Sequence, residues 1–281
     1  MKPIEGTFLQ FWWSMRDVGS KRWEREVNAM HTAGLHTMIL QWTQAEGKNL
    51  FEPPDPFAQL LDIAHRRKMR VVFGLRHDER WWHEWGSAVY LREEAKQSVT
   101  LAREVFLRYG KHPAFAGSYI PYEIWDAPFT ETQAAQIGEL LATIGHACRQ
   151  MAPGKPVLLA PFFAGLLPPE RFEQLRLSLL KERPVDVVAL QDGVGARGWD
   201  EEIEKRVPPY FSAMQSACRG LVDRTRRAFA QFAQSQVMPS PASVTTRRSS
   251  LAPSTRTRTG LGGSVSRITP LSNRFLPSTY T

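Results

Sequence analysis

The chain has 281 residues, 42% apolar and 11% aromatic, enough for one large domain or two small ones, with no run of about eighteen apolar residues to span a membrane. Two cysteines, Cys148 and Cys218, exclude a disulfide framework and a multi-cysteine zinc site. The net charge of +8 is local: residues 1–218 carry 26 basic and 27 acidic side chains, while from Arg219 onward ten arginines face one acid, Asp223, so a uniformly basic nucleic-acid-binding body is excluded.

In chain order, an apolar run at residues 7–12 precedes an amphipathic stretch at 21–33 that closes on Gly34. A second run at 37–42 leads to 56–68, where Phe57, Leu60, Leu61 and Ala64 repeat at helical spacing behind a helix-starting Pro56. The third pair is 70–75 and 90–109, closed by Gly110; the fourth is 116–121 and 130–151. The fifth is 156–161 and 168–182, opened by Pro169, and the sixth is 185–191 and 207–217. Short runs of Val, Ile, Leu and Phe suit strands buried on both faces. Their alternation with helices predicts a parallel α/β domain.

A doubly wound dinucleotide fold needs a glycine-rich turn after its first strand, and residues 13–16 read Trp-Ser-Met-Arg instead. A (β/α)8 TIM-barrel-like fold places polar and aromatic groups at the C-terminal ends of its strands. The ends here read Gln10-Phe11-Trp12, Gln41-Trp42, His77-Asp78, Pro121-Tyr122-Glu123, Pro161-Phe162-Phe163 and Gln191-Asp192-Gly193. That pattern favours the barrel, truncated after about six βα units. Residues 1–219 are therefore expected to form an incomplete barrel. Residues 220–281 are expected to be a disordered tail, since the last 47 residues hold 18 Ser or Thr and six arginines with no acid and no lysine. Their composition matches a translation out of register, with a shift of frame near Gly220.

Two carboxylates are candidates for chemistry. Glu123 leaves a buried strand among Tyr119, Tyr122 and Trp125, where desolvation raises a carboxyl pKa toward general-acid use; the bland alternative pairs it with an arginine such as Arg76. Asp192 lies before Gly193, which suits either close approach to a ligand or a capped turn. Trp12, Trp42, Trp81, Trp82, Tyr119, Trp125 and Phe162 offer stacking faces for sugar rings, about half of them expected to be structural, as Trp23 inside the first helix should be. Gln10, Gln41, Asp78 and Gln191 offer hydrogen-bonding partners for hydroxyls. His77-Asp78 with His83 matches none of the usual zinc spacings and lacks a third ligand, so no metal is expected, and no cofactor motif occurs.

These motifs resemble a bacterial family of (β/α)8 proteins catalogued as domain of unknown function 4434, similar to glycoside hydrolases. The resemblance runs from Gly6-Thr7-Phe8-Leu9-Gln10 through Leu40-Gln41-Trp42, Val72-Phe73-Gly74-Leu75, Tyr109-Gly110-Lys111-His112-Pro113, Tyr119-Ile120-Pro121-Tyr122-Glu123 and Ala160-Pro161-Phe162-Phe163 to Leu190-Gln191-Asp192-Gly193-Val194-Gly195. It implies a barrel with a carbohydrate ligand. In related retaining barrel hydrolases an acid/base Glu ends the fourth strand, which maps onto Glu123, although those enzymes place Asn where Tyr122 stands. The family's later nucleophile strand has no counterpart after Arg219. The expected function is a glycoside hydrolase acting on an oligo- or polysaccharide, with a non-catalytic carbohydrate-binding barrel or an inactive truncated product as alternatives. No nucleic-acid or membrane partner is expected. The opening residues carry no signal-peptide core, which points to the cytoplasm, or to the periplasm or exterior if the start codon is misplaced.

Overall fold

The computed structural model describes residues 5–194 and 198–222. The chain runs β1 (Gly6–Leu9), α1 (Ser20–Thr32), β2 (Thr37–Leu40), the short hairpin β3 (Gln44–Ala45) and β4 (Lys48–Asn49), α2 (Pro56–Arg66), β5 (Arg70–Gly74) and β6 (Arg76–His77). It continues with the single turn α3 (Trp81–Glu84), α4 (Ala88–Tyr109), β7 (Phe115–Ile120), α5 (Glu131–Met151), β8 (Val157–Leu159), α6 (Pro169–Leu179), β9 (Val187–Val188) and α7 (Ile203–Val222). The expected tail lies, from residue 223 on, outside the described residues.

All six expected strands and the six helical segments form. The strands make one parallel sheet in the order β1-β2-β5-β7-β8-β9, so each new strand is added beside the last as in a (β/α) barrel. The sheet is curled. Phe8 on β1 and Tyr119 on β7 stand three strand positions apart, a distance of about 14 Å in a flat sheet. Their ring centroids are 5.3 Å apart. Ile39, Val72, Leu158, Ala160 and Ala189 fill the same concave side around Tyr119. The architecture is half of a (β/α)8 barrel with its interior packed by side chains. Among the described residues β1 and β9 each have one neighbour in this sheet.

The convex side carries the helices and the larger core, where Phe57, Phe73, Phe115, Leu141 and Ile144 are buried. Local chemistry fixes where the helices begin. The Asp55 carboxylate accepts from the amides of Phe57 and Ala58 with Pro56 in the first turn of α2, and Thr130 and Gln133 form a reciprocal capping box on α5. Trp23 is buried and stacks on Phe11 at 5.6 Å, so it belongs to the scaffold as its place in the first helix implied. Gly74 answers to close packing: a Cβ there would run into the carbonyls of Leu40 and Gln41 at the end of β2 and just past it. Where a closing barrel needs a seventh strand near residue 220, the chain is still in α7, which packs on α6 and is tied to the loop before it by Tyr210 Oη donating to the Leu167 carbonyl at 2.7 Å.

The sequence gives no sign of a second, small sheet, β4-β3-β6, nor of α3. These pieces are two to four residues long and mostly polar. They form because β3 pairs in parallel with β6, which prolongs the line of β5 beyond Leu75.

Candidate functional site

Strand side chains alternate faces. The inward rows that end in Phe8, Ile39, Tyr119, Ala160 and Ala189 continue by twos to Gln10, Gln41, Glu123 (through Pro121), Phe162 and Gln191. The C-terminal rim of the sheet is therefore assembled from strand termini that the barrel brings together. Phe162 and Gln191 are bridged directly as parallel partners.

Glu123 is half-buried at this rim. Burial pushes its pKa above the usual carboxylate range; a hydrogen bond from the Gln191 amide and the nearby His77 pull it back without cancelling that push. Gln191 is held in turn, its Nε2 donating to the Ala160 carbonyl at 2.7 Å. Trp81 Nε1 donates to the Glu123 carbonyl at 3.3 Å. Arg76 is not the partner of Glu123. Its guanidinium meets Glu94 at 2.7 Å and Asp78 at 3.0 Å, both buried, and donates to Gln44 Oε1. Glu94 also accepts from Tyr122 Oη at 2.7 Å, so the tyrosine preceding Glu123 anchors that residue's backbone to a buried polar network.

The other expected site residues divide by burial. Trp12 is exposed at 41% and meets Trp42 edge-on at 5.4 Å. Trp42 is buried, donates Nε1 to the Phe11 carbonyl at 2.9 Å and stacks on His77 at 4.5 Å. Trp82, Trp125 and Phe162 are half-buried and form a continuous aromatic wall, with Trp125 to Trp82 at 5.9 Å and to Phe162 at 6.2 Å. Gln10 and Gln41 have no side-chain partner among the described residues, which leaves their amides available.

Three expected ligand contacts take a different place. Tyr119 is buried in the barrel interior and Trp81 is buried against Tyr122. Asp78 is buried and saturated. Burial alone would raise its pKa, but the hydrogen bonds and charge of Arg80, with the charge of Arg76, hold it below the usual value. Its oxygens accept from the Arg80 amide and from both guanidinium groups. Asp192 accepts from the Val194 amide at 3.1 Å, and Gly193 between them has φ +65°, the capped-turn arrangement.

Sequence reasoning missed the groups that brace the rim. Asp126 is buried and accepts from the amides of Ala164, Leu166 and Leu167, which ties the β7–α5 loop to the β8–α6 loop. Arg176 is buried on α6 and donates to the carbonyls of Ile124 and Phe162 at 3.2 and 2.8 Å; burial lowers its pKa to about 9. Arg176 was detectable, because it occupies a core position of the helix beside Phe172, Leu175 and Leu179. Glu94 carries the same signal among Leu91, Ala95 and Ser98. Asp126, in a loop, carries none.

A family model described as Domain of unknown function (DUF4434) matches residues 4–251, running past the expected boundary at 219. Uncharacterized protein YbcH of Escherichia coli (strain K12) is 27% identical over 186 residues, which is 63% of this chain and 61% of that protein. The chain thus spans about three-fifths of the curated relative it matches. Among solved structures, a candidate α-L-fucosidase from Bacteroides thetaiotaomicron VPI-5482 superposes with a TM-score of 0.61 at 21% identity, over 78% of this chain and 71% of that one. At that identity the likeness is one of fold.

Proposed function

The chain belongs to the DUF4434 family, and from that premise we propose that it binds an oligo- or polysaccharide across the rim of its barrel, with Glu123 donating the proton to a glycosidic oxygen. The observation that carries this reading is the environment of Glu123. A half-buried carboxyl at a barrel strand end, hydrogen-bonded by Gln191 and with its pKa raised by desolvation, holds its proton to higher pH than a free glutamate, the direction a proton donor requires. The neighbouring surfaces suit a sugar. Trp12, Trp125 and Phe162 present ring faces for C–H groups, and the unpartnered amides of Gln10 and Gln41 suit hydroxyls. The barrel it resembles in Bacteroides carries a glycosidase name, which agrees with this substrate class.

The specific observation favouring a non-catalytic binder is the state of the aspartates around the rim. Asp192 holds the Val194 amide, and Asp78 and Asp126 are buried and fully engaged. A hydrolase needs a second carboxylate about 5–10 Å from the first. Glu123→Gln distinguishes the two readings. For a hydrolase, reducing-sugar release from the best ligand of a glycan array falls by about 100-fold or more while binding persists. Turnover that survives the substitution removes Glu123 from the chemistry, and a parent chain that binds glycans without turnover establishes the binding reading.

A further inference from the structure

Beside the sugar-facing rim, on the β3–β4 hairpin and β6, stands a second cluster that the reading above does not use. We propose that Glu46, His77 and Glu79 form a binding site for one divalent transition-metal ion of the zinc type. This inference does not depend on the role of Glu123.

His77 Nε2 lies 3.0 Å from Glu79 Oε1 and 4.0 Å from Glu46 Oε1, and the three potential ligand atoms all fall within 4.8 Å of one another. Ligands bound at about 2.0–2.2 Å around a tetrahedral zinc stand about 3.3–3.5 Å apart, so drawing these atoms onto one ion needs only small torsions of the two glutamate side chains. The backbone beneath them is fixed. Ala45 and His77 are register partners in the β3–β6 pair, the Glu46 amide donates to the His77 carbonyl at 3.3 Å, and the Glu79 amide donates to Glu46 Oε1 at 3.2 Å. The imidazole is oriented as well, since it stacks on Trp42, whose own indole is hydrogen-bonded to Phe11. A histidine whose plane is set by its surroundings is what a metal site needs, because ring orientation is otherwise part of the binding penalty.

Charge points the same way. Among the described residues, no arginine or lysine is paired with these two carboxylates, since Arg76 and Arg80 are taken up by Glu94 and Asp78. The carboxylates are hard donors, but the imidazole nitrogen is of borderline softness, and its presence in the set favours zinc and its first-row neighbours over calcium or magnesium. Three protein ligands leave a fourth position for water or a ligand oxygen. The sequence pattern around His77 hides this set. Asp78 and His83 are its near neighbours in the chain, but Asp78 is sealed by arginines, and Glu46 arrives through strand pairing.

The test uses the full chain, stripped with chelator, titrated with Zn²⁺ by calorimetry and with Co²⁺ by visible absorption. We expect one ion per chain and the d–d absorption of a low-coordinate Co²⁺ site. His77→Ala should weaken binding by about 100-fold or more, and Glu46→Gln and Glu79→Gln by about tenfold each, with circular dichroism unchanged. His83→Ala and His112→Ala should leave the isotherm as it is. The exposed glutamate variants keep the test sound if His77→Ala fails to fold. Absence of binding by the folded chain at millimolar Zn²⁺, or binding that survives the glutamate variants, overturns the proposal and leaves the trio as a surface ion pair.

Discussion

Glu123 owes its character to burial, which acts on its charge in one direction, and to Gln191 and His77, which act in the other. Desolvation at the rim favours the protonated form, while the Gln191 amide favours the carboxylate. Gln191→Leu removes a donor to the charged form, so the Glu123 pKa should move further up. The sign is definite: an acid with a raised pKa keeps its proton to higher pH, so any activity that needs the protonated form is lost as pH rises through that pKa, and in Gln191→Leu this alkaline limb shifts to higher pH. Carboxyl carbon chemical shifts followed through the titration report the same change without turnover; a downward shift would show that Gln191 does not stabilise the carboxylate. At this scale the sequence exposed residue types but not partners. It paired Glu123 with Arg76 or with nothing, whereas Arg76 is held by Glu94, a residue on a helix.

At the scale of elements, the rim is only as well ordered as the loops that frame it, and these are joined by buried polar groups as well as by the Trp125–Phe162 contact. The Asp126 carboxylate collects three amides from the loop after β8, and Arg176 reaches from α6 to a carbonyl on each side. Asp126→Asn keeps one acceptor oxygen but leaves buried N–H groups without partners, at a cost of about 2–4 kcal/mol. Urea denaturation should show that loss as a lower midpoint with an unchanged slope, and an unchanged midpoint would mean the loop is held some other way. The strands and helices themselves were legible because each is written by a local rule: an apolar run, a 3.6-residue repeat, a cap. The short sheet of β3, β4 and β6 follows no such rule. It exists because β2 and β5 deliver two loop segments side by side, and pairing follows from proximity.

For the whole molecule, curling the sheet turns residues scattered along the chain into one surface. Trp12 and Trp13 are exposed, at 41% and 39%, on the stretch that follows the first strand. Their joint replacement by alanine removes the covered part of each ring, including the Trp12 contact with Trp42, so stability should fall by about 1–3 kcal/mol. Affinity for an oligosaccharide ligand should fall by about tenfold or more if these rings stack on sugar. Paired thermal melts and glycan titrations separate the two effects, and a larger drop in stability would assign these indoles to the fold. The sequence alone determined that the chain is a parallel α/β barrel with aromatic and amide-bearing strand ends, because periodicity and strand order are local and additive properties. Only the tertiary structure decided which polar groups are free and which are consumed: Asp78 sealed by two arginines, Asp192 held by a turn, His77 set between Trp42 and two glutamates. The setting of His77 depends on segments far apart in the chain, and where the partner stands only two residues away, as for Asp78 and Asp192, spacing does not say whether a side chain turns back on its neighbours or outward to a ligand.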